Sequence, residues 1–166
     1  MLKSLKKVDE ILGKVLKVFV TALCIGIAVI LFGRVLIRFT PLRISLAWTD
    51  EIVEWMMAWM IFTASTLITR EGGHFRVDLL QEKFAGKKWI TVLNVFIALL
   101  GVLFFGMLLV YSIRLVIGAT QFSPILKIST RVFYMSIPVN CALMLLYQLR
   151  DIVRLVGGPK EASASR

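Results

Sequence analysis

The chain has 166 residues, 58% of them hydrophobic, and carries 20 lysines and arginines against 10 acids, a net charge of +10. A water-soluble domain of this size has to cover its core with polar surface, and this composition excludes one. Cys24 and Cys141 fall inside apolar runs, where they behave as small apolar residues and carry no information on redox compartment.

Four uncharged runs stand out: Val18 to Gly33, Trp55 to Thr69, Trp89 to Ile113 and Val132 to Leu149. Backbone groups in lipid must be satisfied within the segment, so continuous apolar runs predict helices and not barrel strands. The expected fold is an all-α integral membrane protein with four transmembrane helices, at about 18–37, 52–69, 89–115 and 132–150. An amphipathic interfacial helix precedes them at 1–17, and a disordered tail follows the membrane domain (18–156) at 157–166. Fourteen of the 20 cationic residues lie before the first run, between the second and third, or after the fourth; six lie in the other two loops. That bias predicts that both termini face the cytoplasm. It also assigns the basic balance to topology and to anionic membrane lipids, so no nucleic-acid partner is expected.

Taken in chain order, Leu2 to Lys17 places Leu5, Val8, Leu12, Val15 and Leu16 at helical spacing among lysines, as expected for a helix lying on the cytoplasmic leaflet or docking on a partner. In the first span Ala22, Gly26, Val29 and Gly33 share one face, where small residues allow close helix approach. Arg34 and Arg38 follow that span where a signal peptide would have a small-residue cleavage site. The outer loop adds Arg43, Pro41 and Trp48, an interfacial anchor. Thr49 is the expected N-cap of the second span, with Asp50 and Glu51 favoured in its first turn by the helix dipole. Glu54, Ala58, Ser65 and Thr69 share a face of this helix. From Glu54 to Arg70 there are fifteen uncharged residues, about 22 Å of helix against a bilayer core of roughly 30 Å. A short span with a polar motif at each mouth is the most specific stretch in the chain.

That span leaves through Arg70-Glu-Gly-Gly-His74-Phe-Arg-Val-Asp78. Gly72 and Gly73 stop the helix, and Asp78 is placed to cap a short helix at Leu79 to Phe84. His74 is the sole histidine, so a metal site there would lack further nitrogen or sulfur ligands. Arg70, His74 and Asp78 are expected to hydrogen-bond one another or a neighbouring chain, with a solvated turn as the alternative. The third span aligns Asn94, Ala98, Gly101, Phe105 and Ser112; the fourth aligns Ser136, Asn140, Leu143 and Tyr147, with Pro138 one turn in, where a missing amide costs least.

No Asp, Glu, Lys, Arg or His lies inside the four runs, whereas a self-contained ion-coupled carrier keeps ionisable residues there. No haem ligand pair, catalytic triad or phosphate loop can be assembled, so neither an enzyme nor a cofactor is expected. The physical reading is a helper subunit with packing stripes and decorated mouths.

The Trp48-Thr-Asp-Glu51 start, the Arg70-Glu-Gly-Gly-His74-x-x-x-Asp78 exit and the Phe133-Tyr134 to Pro138 start of the fourth span together resemble the small membrane subunit of tripartite ATP-independent periplasmic (TRAP) transporters. The resemblance covers nearly the whole chain. It implies a bacterial inner-membrane location and two partners: a large membrane subunit with substrate and sodium sites, and a periplasmic binding protein that delivers an organic acid such as a sialic acid or C4-dicarboxylate. The small subunit would brace the stationary scaffold, with Arg34, Arg38, Arg43, Asp50 and Glu51 as candidate contacts to the binding protein. Replacing Arg70 or Asp78 is then expected to weaken assembly more than replacing Lys83. A membrane anchor of a redox enzyme, or a free-standing small channel or efflux protein, are the competing readings.

Overall fold

The computed structural model describes residues 2–40, 46–71 and 88–156, with the side chains of 2–6, 88–94 and 154–156 left out of the description. Arg43, Gly73, His74, Asp78, the short helix at Leu79 to Phe84 and the tail at 157–166 lie outside the described residues, as does the Asn94 side chain.

The described residues form five helices: α1 (Leu2–Arg38), α2 (Ala47–Arg70), α3 (Lys88–Gly118), α4 (Thr130–Tyr134) and α5 (Ser136–Val156). Four stretches, Lys7–Arg38, Ala47–Arg70, Val95–Gly118 and Thr130–Val153, are long and apolar enough to cross a membrane. The protein is therefore an all-α, multi-pass membrane protein.

The boundaries differ from the sequence reading in three places, each for a local reason. Nothing between Leu2 and Arg38 breaks a helix, so the segment at 1–17 and the first span form one rod of 37 residues. Its length is about 55 Å, well beyond the bilayer core. The second span begins at Ala47, one turn before the expected start, and Leu46 occupies the N-cap without a side-chain bond. The Thr49 hydroxyl donates back to the Leu46 carbonyl at 2.6 Å. The fourth span is divided at Met135, between α4 and α5. Pro138 lacks the amide that would bond the Tyr134 carbonyl, and its ring crowds that carbonyl, so the helix is interrupted there.

The long helices lie in the order α1, α2, α5, α3, each packed along the next, with α3 against α5 the most extensive contact. The arrangement is an open row, which accounts for a small core. The buried apolar side chains are Ile27 of α1, Ala98 and Phe105 of α3, and Cys141, Met144 and Tyr147 of α5. The buried side chains of α2 are all threonines, Thr49, Thr63, Thr66 and Thr69, and α5 buries Ser136 and Asn140; Thr66 and Asn140 meet between the two helices.

Candidate functional site

The chemistry-bearing side chains gather in three places along the row: at the end holding the N-terminal half of α1, in the middle of the α2–α5 contact, and at the opposite end.

At the first end, Arg70 closes α2 and reaches Asp9 of α1, with Nε donating to Oδ1 at 3.1 Å and a second guanidinium nitrogen to Oδ2 at 3.3 Å. Two parallel bonds of this kind fix orientation as well as charge. The path across α1 is open because residue 13 is glycine: a Cβ there would run into the Arg70 guanidinium. Arg150 of α5 donates to the same Asp9 carboxylate at 3.4 Å and to the Arg70 carbonyl, one of the unpaired carbonyls at the end of α2, at 3.0 Å. Asp151 pairs with Arg150 at 3.3 Å, and the Arg150 guanidinium lies 4.9 Å from the centre of the Tyr147 ring. Side chains of Asp9, Arg70 and Arg150 keep only 32%, 18% and 27% of their surface exposed. One carboxylate thus joins three helix segments. Lys17 and Glu71 form a further pair, at 3.1 Å, that is open to solvent.

In the middle, Thr66 donates to Asn140 Oδ1 at 3.0 Å, and Asn140 Nδ2 donates to the Ser136 carbonyl at 2.8 Å. All three residues are fully or almost fully buried. Gln148 Nε2 reaches the Ala98 carbonyl at 3.4 Å and links α5 to α3. These contacts are neutral, so they hold helices together without placing charge in the membrane.

At the opposite end, Arg34 of α1 pairs with Asp50 of α2, both largely exposed. Glu51 faces the link between α3 and α4. Its carboxylate accepts from the Ser123 hydroxyl, from the Ile125 amide at 3.1 Å and from the Leu126 amide at 3.0 Å. The link folds on itself through Ser123 N to Ile128 O at 2.8 Å and Thr130 N to Gln121 O at 3.1 Å, with Lys127 at a φ of 51°. A non-glycine residue in that left-handed region is uncommon and needs a fixed surrounding. Phe133 of α4 packs on Trp55 with ring centres 6.3 Å apart.

Sequence-picked residues fall out as follows. Gly101, Ser136 and Asn140 are buried; Gly26, Gly33, Ala58, Ser65 and Pro138 are half-buried; Ala22, Trp48, Glu54 and Arg38 are exposed. A Cβ on Gly26 would come within 2.6 Å of Met56 Cε, whereas one on Gly33 would meet nothing within 4 Å. Ser65 donates to its own helix, to the Ile61 carbonyl at 3.0 Å. Sequence reasoning missed Asp9 and Arg150, which meet Arg70 across large sequence separations; Tyr147 was placed on the stripe of the fourth span but not with this cluster. It also missed Thr63 and Thr66; a threonine every third residue up to Thr69 was the available signal.

An all-helical multi-pass membrane protein whose polar groups serve helix–helix and helix–loop contacts is the class these features define. The model of the family described as "Tripartite ATP-independent periplasmic transporters, DctQ component" matches residues 27–158. The chain belongs to that family and is a small membrane subunit of a TRAP transporter. Proteins of this family work in tripartite systems with a large membrane subunit and a binding protein. No curated protein matches the chain.

Proposed function

We propose that this chain braces the scaffold of the large membrane subunit of a sodium-coupled TRAP transporter that takes up an organic acid across the bacterial inner membrane. The observation that carries this reading is the placement of charge. Among the described residues the ion pairs cluster at the two ends of the helices, and the middle of the contact between α2 and α5 is made by neutral side chains, Thr66 with Asn140. A bracing element needs packing surfaces and no ion ligand, whereas a coupling site needs ionisable or carbonyl ligands at membrane depth. The charge bias of the loops supports termini on the cytoplasmic side, which puts Asp9, Arg70 and Arg150 inside and Arg34, Asp50 and Glu51 outside.

The chain also helps dock the periplasmic binding protein at the outer end. Glu51 is engaged with the α3–α4 link and Asp50 with Arg34. Of the candidate contacts among the described residues, Arg38 is exposed and has no ion-pair partner there, which suits it to a carboxylate on the incoming protein.

A mild-detergent pull-down of the tagged chain from its native membrane, read by mass spectrometry, tests this function. Recovery of a large multispanning protein, with a periplasmic solute-binding protein more loosely attached, is expected. Recovery of the chain alone, or with haem or flavin proteins, refutes it. Reconstituted vesicles should take up the acid only when all three components and a sodium gradient are present.

A further inference from the structure

The outward face of α1 forms an apolar ridge. Val8, Ile11, Val15 and Val18 are 62%, 54%, 58% and 69% exposed and follow one another at spacings of three, four and three residues. The same alternation carries on through Ile25, Val29 and Phe32, also exposed. A repeat averaging 3.5 residues keeps one seam facing one partner helix along its length. This seam lies about half a turn around α1 from Gly13 and Ile27, which are buried on the side that packs on α2.

Acyl chains can cover the upper part of such a seam but not its lower part. The charges of Asp9, Arg70 and Arg150 favour the polar boundary of the bilayer over its apolar core, and Val8 and Ile11 flank Asp9 on α1, which would put them near that boundary. The helix cannot tip over to bury them, because the bonds from Arg70 and Arg150 to Asp9 hold it upright against the ends of α2 and α5. The ridge is rimmed by Lys7 and Lys14, both exposed and without an ion-pair partner among the described residues, while Lys17 is held by Glu71. A second copy of this chain, in the same membrane orientation, would bring these lysines together. A helix carrying acids at that height would neutralise them.

We propose that this ridge seats a long helix of the large membrane subunit, one that continues past the bilayer on the side of Asp9 and carries acidic side chains beside Lys7 and Lys14. From Val8 to Phe32 the seam would run about 36 Å. The inference rests on the reading of the chain as a bracing subunit and names the surface through which it braces. Asp9 is then a positioning residue for that surface.

The test is photo-crosslinking in native membranes of the assembled complex, with a photoreactive amino acid placed singly at Val8, Ile11, Val15 and Phe32, and off the ridge at Glu10. The expected result is an adduct with the large subunit at the four ridge positions, several-fold stronger than at Glu10. An adduct with a second copy of the chain overturns the choice of occupant. Equal adducts at Glu10 and the ridge, or none at Val8 and Ile11 while the large subunit still co-purifies, overturn the ridge itself. If no large subunit co-purifies, the bracing function falls, and the inference with it. In the Asp9→Asn variant the adducts at Val8 and Ile11 should drop several-fold and that at Phe32 should persist; an unchanged pattern removes the positioning role of Asp9.

Discussion

The two ends of the row each depend on one carboxylate, and they use it differently. Asp9 gathers guanidinium groups from two other helices, so it fixes how α1 stands against α2 and α5. Glu51 gathers two amides and a hydroxyl from a single link, so it fixes a loop and leaves the helices alone. A carboxylate facing side-chain cations sets tertiary arrangement; one facing backbone amides sets local shape. The partly buried cluster is the one where losing the acid leaves charge stranded.

The largest expected effect follows from that asymmetry. Asp9→Asn leaves Arg70 and Arg150 partly buried without their shared acid. Stranding a fully buried charge costs roughly 3–5 kcal/mol, and the remaining exposure brings this to about 2 kcal/mol. Thermal unfolding in detergent should show a clear fall in Tm, larger than for Asp151→Asn, whose loss leaves Arg150 still on Asp9. Equal falls would mean that Asp9 holds no more than a surface pair. Arg70→Lys sharpens the point: it keeps the charge, loses the two-pronged geometry and should lower the Tm by less than Asp9→Asn does.

Next comes the neutral seam between the ends. Asn140→Leu removes a buried acceptor from Thr66 and should cost about 1 kcal/mol. A double-mutant cycle with Thr66→Val should return a coupling of about 0.6 kcal/mol. A coupling of zero would show that the two side chains are satisfied separately, each by its own helix.

At the opposite end the readout is local. Glu51→Gln should speed hydrogen exchange of the Ile125 and Leu126 amides several-fold while leaving amides of the α3–α5 contact unchanged, because it releases a loop and not a helix. If exchange in α5 rises as well, Glu51 acts on the bundle and the contrast between the ends fails. The smallest effect belongs to Lys17→Ala, whose pair with Glu71 is exposed on both sides and should move stability by no more than about 0.5 kcal/mol.

Much of the architecture was legible because it follows from one-dimensional quantities. Apolar runs the length of a bilayer have to be helices, and their number and rough positions need no knowledge of what packs on what. The family is likewise carried by local strings, Trp48 to Glu51 and Arg70 to Asp78. The face of α3 holding Ala98, Gly101, Phe105 and Ser112 could be read off by angle, and it is buried, since a regular helix fixes which residues share a side. Helix boundaries were less legible: whether α1 bends at Lys17 depends on whether its N-terminal half finds partners on the bundle or lies on lipid. The pattern of Leu12, Val15 and Leu16 suits both.

The sequence by itself determined four spans, a loop-charge bias and a family, because hydrophobicity, spacing and short motifs act within a segment. Only the tertiary structure decided the row order α1, α2, α5, α3, and that Arg70 answers to Asp9, 61 residues away. It alone decided that Glu51 holds a link 72 residues further on. The physical reason is that a charged side chain carries no record of which distant partner will neutralise it. That choice is made by the backbone geometry that brings the ends of α1, α2 and α5 to one place, and by a glycine at position 13 that leaves room for an arginine to pass.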